Sequence, residues 1–205
     1  MEFEKLVAER RSVSRFDPGH SISDAELKSL FEQVVLSPSS FNLQHWRFVV
    51  VRDAENKAKL RKAALGQAQV EQASATIVVI GKLDAHTDAA TLYADTPPEV
   101  RDNLVPMIEQ FYADKPQLQR DEAVRSVSLA AMTLMYAARD MGYATGPLIG
   151  FDPQAVSDLI GLDGNHIPVL LIAIGKQVGD LRPRSARLPV SEVVRLETMS
   201  GPGPT

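Results

Sequence analysis

Two short runs constrain this chain more than anything else in it: TIVVI at residues 76–80, followed by a glycine, and PVLLIAIG at residues 168–175. Successive side chains of a strand point to opposite faces, and both runs are apolar on both. Each therefore reads as a fully buried strand. A third β-branched run, residues 48–51, emerges from a polar stretch and reads as a strand as well.

Helical spacing fills much of the remainder. Residues 3–9 carry Phe3, Leu6 and Val7 on one face. Ser23, with Glu26 three positions on, forms a capping box; Ile22 and Leu27 are placed as its staple, and Leu27, Leu30, Phe31, Val34 and Val35 share one face of the helix that follows. Residues 56–64 are rich in Lys and Ala. Residues 99–113 are weakly amphipathic, with Pro106 expected to kink or divide them and Pro116 to close them. The longest helix is expected over residues 119–141, apolar around most of its circumference and so central, with a share in a subunit contact. Asp152 caps a short helix at residues 153–159. Residues 86–98 lack a clear period, and residues 142–151, GYATGPLIGF, read as a glycine-punctuated loop that exposes its backbone N–H groups.

A chain of 205 residues with 44% hydrophobic and 23% charged residues is ordinary for one globular domain, expected over residues 1–199, with the tail SGPGPT at residues 200–205 unable to pack and disordered. A net charge of −4 argues against nucleic acid or an anionic membrane surface as partner. The absence of Cys removes thiolate catalysis and Cys-ligated metals. The four histidines are scattered, so no metal site is expected. No run has the length of a membrane span and the N-terminus is charged from its second residue, which together read as a cytoplasmic protein.

Chemistry concentrates in three places. In SPSSFNLQHW, residues 37–46, the side chains of Ser37, Ser39, Ser40, Asn42 and Gln44 offer uncharged donors and acceptors between apolar walls from Phe41 and Trp46. That suits a pocket for a large, planar, polar-edged molecule; it equally suits a helix-to-strand loop whose Ser and Asn satisfy turn backbone. Arg10, Arg11 and Arg15 lie close to Ser12 and Ser14, a composition fit for a phosphate monoester, although a solvated basic helix end is the simpler reading of that segment alone. Residues 182–189, RPRSARLP, offer a second set of arginines to the same anion. There is no GxGxxG after a strand, no GxxxxGK[ST] and no GxSxG. A planar, polar-edged ligand bearing a phosphate and held by arginines from both ends of the chain, by neutral amides and by glycine-rich backbone matches flavin mononucleotide, FMN.

Four segments, RRSVSRF at residues 10–16, SPSSFNLQHWRFVVV at residues 37–51, PLIGF at residues 147–151 and RPRSARLP at residues 182–189, resemble in order and spacing the FMN-dependent nitroreductase family. SFNLQH, GQAQV and RDEAVRSVSLAAM are similar to its subgroup associated with quinone and nitroaromatic stress. The resemblance implies an α+β, nitroreductase-like fold, a mixed central sheet flanked by helices, in an intertwined homodimer with FMN at the subunit interface. It implies that Arg10, Arg11 and Ser12 contact the phosphate and ribityl chain, with Arg187 at the phosphate. Pro38, Ser39, Ser40 and Asn42 would come from the other subunit, beside the flavin ring, and Gln44 would contact the cofactor as well. Pro147, Leu148, Ile149 and Gly150 would lie along the flavin, Ile149 directing its N–H at flavin N5, and Gln67 and Gln69 would approach the ribityl chain or pyrimidine edge. Many relatives carry Lys or Arg, a cation for the anionic reduced flavin, where this chain has Ser14; several carry Pro where it has His45 and an acid where it has Ile149, so a more apolar substrate cavity is expected. The implied activity is hydride transfer from NADH or NADPH through flavin N5 to a quinone or nitroaromatic compound. The alternatives are dehalogenation or enone reduction on the same scaffold, or flavin storage without turnover.

Overall fold

The computed structural model describes residues 2–181 and 183–204. Four strands, β1 (Trp46–Val51), β2 (Ala75–Lys82), β3 (Ala144–Leu148) and β4 (His166–Gly175), form one sheet in the order β1-β2-β4-β3. All three neighbouring pairs run antiparallel; parallel pairing enters through a bridge between Ser12 and Thr145 on the outer side of β3. The two runs that read as buried strands, β2 and β4, are the central pair.

Helices cover both faces, as strands apolar on both sides demand. Ile77, Val79, Ile172 and Ile174 face α2 (Asp24–Val34) and α7 (Pro116–Asp140), meeting Leu30, Val34, Val127 and Leu134, all fully buried. Val78, Ile80 and Leu171 face the other way, onto Leu60 of α3 (Ala54–Ala63), Val70 of α4 (Ala68–Gln72) and Val156 of α8 (Pro153–Ile160). A separate cluster of Leu43, Ala85, Ala89, Val105, Ile108 and Tyr112 lies beneath α5 (Ala89–Leu92), α6 (Pro98–Tyr112) and the 3₁₀ turn Ala85–Asp88. The short helices α1 (Phe3–Glu9) and α9 (Val190–Val193) lie towards the chain ends.

The capping box at Ser23 forms in full, and Asp152 accepts from the N–H groups of Gln154 and Ala155. Four expectations change. Pro106 sits within an undivided α6, while Pro116 does not close that helix but opens α7, where its missing N–H is an orphan in any case. Residues 144–148 form strand β3 rather than a loop: it is an edge strand, where a proline such as Pro147 is tolerated. β1 starts at Trp46, whose side chain is buried in the core and is no pocket wall. At the chain's end, the N–H of Leu196 donates to the carbonyl of Pro202 at 2.9 Å.

Candidate functional site

The N-terminal arginines are held by the apolar residues between them. Val13 and Phe16 are buried with Ala73, Ala144 and Ala173, and the Val13 N–H donates to the Thr145 carbonyl at 2.9 Å. With a bridge from Phe16 to Gln177, this straps residues 12–16 across β3 and the segment after β4, with Arg11, Ser12, Ser14 and Arg15 around a cavity of about 380 Å³ shared with Gln177 and Asp180. Arg10, the residue that closes α1, lines a smaller adjoining cavity.

The other end of the chain returns to the same place. Arg184 Nη2 donates to the carbonyls of Ala8 at 2.6 Å and Arg10 at 3.1 Å. Partial withdrawal from water, and then the guanidinium groups of Arg11, Arg187 and Arg10, push its pKa below the ordinary arginine value. The charges of three other guanidinium groups thus reach Arg184, an arrangement that favours a multivalent anion beside it. Arg187 also donates to the carbonyls of Ser185 and Ala186, at 3.0 and 3.1 Å. Arg184 was legible in sequence only as part of a basic arm; its neighbour Arg182 lies outside the described residues.

β3 carries the strap towards the PLIG segment. Leu148 is buried, and Ile149 beyond it is 81% exposed. Gln67 Nε2 donates to the Gly150 carbonyl at 2.7 Å, and Gln69 Nε2 donates to Gln67 Oε1 at 2.9 Å. The two glutamines therefore form a relay that fixes the turn after Ile149. A Cβ on Gly150 would stand 3.1 Å from Gln67 Nε2, so the relay and the glycine fit one another closely.

Pro38, Ser39, Ser40, Asn42 and Gln44 belong to a different neighbourhood. Their loop enters β1 at the opposite edge of the sheet from β3, three strand spacings away, roughly 14 Å. Ser37 is buried and gives its hydroxyl to the fold, 2.7 Å from the Val34 carbonyl and 2.9 Å from Thr133 Oγ1, so it is not a ligand group. Ser39 Oγ accepts from the Gln44 N–H at 3.0 Å, and Ser40 Oγ is bonded to Tyr112 Oη at 2.8 Å. Phe41, Asn42 and Gln44 have φ of 47°, 49° and 49°, strain of about 1–3 kcal/mol each for residues that are not glycine.

His45 does not line a cavity. It is 2% exposed, 6.4 Å centroid to centroid from the Tyr112 ring, and its Nδ1 is buried without a hydrogen-bond partner. Burial above all pushes its pKa down to about 4; the charges of His86 and Arg47 add to this and Glu122 opposes it. The expected apolar character of the substrate cavity therefore receives nothing from His45. Among the described residues no cluster of three His, Cys, Asp or Glu side chains could hold a metal ion, and no helix is long and apolar enough to cross a membrane.

These features define an α+β protein with an arginine-lined cavity beside the start of an edge strand and an exposed Ile149 just past its end. The nitroreductase family model matches residues 7–176, and the chain belongs to that family. It is 41% identical over 201 residues to MhqN of Bacillus subtilis, named as an NAD(P)H nitroreductase, covering 94% of this chain and 98% of MhqN. It is 42% identical over 175 residues to protein DrgA of Synechocystis, covering 85% of this chain and 83% of DrgA. Among solved structures, a nitroreductase from Exiguobacterium sibiricum in complex with FMN superposes with a TM-score of 0.88 at 34% identity, covering 96% of this chain and 98% of that one.

Proposed function

We propose that this protein is an NAD(P)H-dependent FMN oxidoreductase whose acceptors are quinones or nitroaromatic compounds. The observation that carries the reading is the bonding of Arg184 to the carbonyls of Ala8 and Arg10, which brings arginines from both ends of the chain together. A phosphate dianion answers that donor set, and the FMN complex of the related nitroreductase names a ligand that has one. Bound FMN supplies a ring that accepts a hydride from NAD(P)H and passes it to the acceptor.

The chain's own residues supply position. Arg10, Arg11, Ser12 and Arg187 would hold the phosphate end, and Pro147, Leu148, Ile149 and Gly150 would lie along the ring, with the Ile149 N–H as the donor to its reacting nitrogen. Gln67 and Gln69 act by fixing Gly150. Ile149, 81% exposed, offers the acceptor an apolar surface where it meets the ring.

The working unit in this reading is a homodimer, in which Pro38, Ser39, Ser40, Asn42 and Gln44 of one copy reach the flavin held by the other. Two features support it. The loop and the PLIG segment stand on opposite edges of the sheet. Leu188, Val190, Val193 and Met199 are each at least 60% exposed, an apolar arm that a second copy would cover. We take residues 1–199 as one domain, and the use of a soluble nicotinamide reductant as placing the reaction in the cytoplasm. The decisive experiment is a visible spectrum of the purified protein, reconstituted with FMN, before and after NADH under nitrogen. Bleaching of the flavin bands is the expected result; a bound flavin that NADH leaves oxidised would reduce the protein to a flavin carrier.

A further inference from the structure

Three residues in left-handed conformation within four positions, none of them glycine, do not hold themselves. Bonds within the loop, such as that from the Gln44 N–H to Ser39 Oγ, close its turns, and two bonds from another segment fix where it stands. Tyr93, just after α5, donates its hydroxyl to the Phe41 carbonyl at 2.8 Å. Tyr112, the last residue of α6, is bonded through its hydroxyl to Ser40 Oγ at 2.8 Å, and its ring meets Phe41 edge-on at 6.3 Å.

Tyr112 is itself immobilised. It is 1% exposed, stacked on His86 at 5.6 Å, with His45 on another side, and its carbonyl accepts from Gln119 Nε2 at 2.9 Å. A buried ring has one position, and so has the hydroxyl at its end. The segment from the turn at Ala85–Asp88 through α6 has no strand of its own and packs as a satellite cluster; both of its bonds to the loop end on consecutive loop residues, Ser40 and Phe41.

We propose that Tyr112 and Tyr93 are positioning residues, which clamp the 39–42 loop in the strained pose that presents Ser39, Ser40 and Asn42 to the flavin. The inference rests on the reading in which this loop faces FMN. The clamp acts on Ser40 through its hydroxyl and on Phe41 through its carbonyl, so it sets where the loop's side chains stand without either tyrosine touching the cofactor.

The test uses full-length protein reconstituted with FMN and the variants Tyr112→Phe, Ser40→Ala and their double, with Tyr93→Phe as a second handle on the same loop. Tyr143→Phe, which removes a buried hydroxyl bonded to Glu26 instead, is the control. Readouts are the visible spectrum of the bound flavin, kcat/KM for NADH with 1,4-benzoquinone as acceptor, and Tm. The clamp predicts a shifted flavin spectrum and a roughly three- to tenfold fall in kcat/KM for Tyr112→Phe and for Ser40→Ala, the range of one lost hydrogen bond. It also predicts a double variant no worse than Ser40→Ala alone. Tyr93→Phe should move the same readouts in the same direction, and Tyr143→Phe should change Tm alone. If Tyr112→Phe and Tyr93→Phe both lower Tm yet leave spectrum and kcat/KM at the parent values, the tyrosines are structural and the proposal is wrong. Additive effects of Tyr112→Phe and Ser40→Ala would also overturn it. A parent protein that takes up no FMN would instead refute the flavin reading, and the clamp with it.

Discussion

Gly146 lies so close to Val13 that a methyl group on it would overlap the Val13 carbonyl oxygen. The approach follows from the parallel bridge between Ser12 and Thr145, which presses the N-terminal segment against β3. Gly146→Ala should therefore lift residues 11–16 away from the sheet. We expect a loss of about 1–3 kcal/mol in urea denaturation, the usual cost of overpacking, and a fall in FMN affinity of about tenfold or more. Gly164→Ala, whose methyl group would meet nothing within 4 Å, should leave both unchanged.

Losing one partner of a charge-assisted pair costs roughly 1.5–3 kcal/mol, about ten- to a hundredfold in affinity. Arg10→Ala and Arg187→Ala should each weaken FMN by that factor in a fluorescence titration. Arg184→Ala should match them, since Arg184 ties the arm to the carbonyls of Ala8 and Arg10. Parent affinity in all three would mean that the phosphate binds elsewhere.

Dilution should release flavin and subunits together if two copies build each flavin site. Light scattering and flavin fluorescence followed over the same concentration series would show the two transitions coinciding. A monomer that keeps its flavin contradicts the shared site.

Side chain and backbone at residue 149 make separate predictions. Ile149→Ala should retain FMN and slow its reduction only a few-fold. Ile149→Pro removes the N–H and should slow reduction on the order of 10²-fold at full flavin occupancy. Reduction of Ile149→Pro at the parent rate in stopped flow would withdraw the PLIG segment from the active site.

Acid should destabilise the fold in two stages. The unfolded chain takes up the His45 proton as pH falls through about 6.5, the folded chain only at about 4 because the ring is buried. Between those values the unfolded state holds more protons, so stability falls as pH falls. Glu26 is held at about 2 by the Ser23 hydroxyl, the Ser23 N–H and the Tyr143 hydroxyl. Its contribution is complete above the ordinary 4.5 and is lost as pH drops towards 2. Urea denaturation from pH 8 to pH 2 should show both stages. His45→Gln should flatten the first, and Ser23→Ala the second.

Periodicity and capping made most of the body legible. β2 and β4 declared themselves by being apolar on both faces, and α2 by Ser23 and Glu26. β3 did not, because Gly146 and Pro147 carry loop signals and only an edge position, with a second strand's backbone close by, makes a strand of them. The arginines of residues 10–15 and the arm at residues 183–187 were visible as charge, but their meeting is a fact of three dimensions. Gln67 was recognisable as an amide near a glycine; that its partner is Gly150, 83 residues away, was not. The polar run at residues 37–46 was over-read: Ser37, His45 and Trp46 belong to the interior, and chemical type alone does not separate a hydroxyl that holds a helix end from one that meets a ligand.

The bond between Arg184 and the Arg10 carbonyl spans 174 residues, which orders events during synthesis. At about 5–20 residues per second, a ribosome makes Arg184 roughly 10–35 s after Arg10. Strand β4 ends only nine residues before Arg184, so the completed sheet and the second set of arginines become available almost together. In the proposed reading, a polypeptide cut short before Arg184 would carry the whole sheet together with Arg10 and Arg11, yet hold a phosphate with only the first of its two sets of arginines.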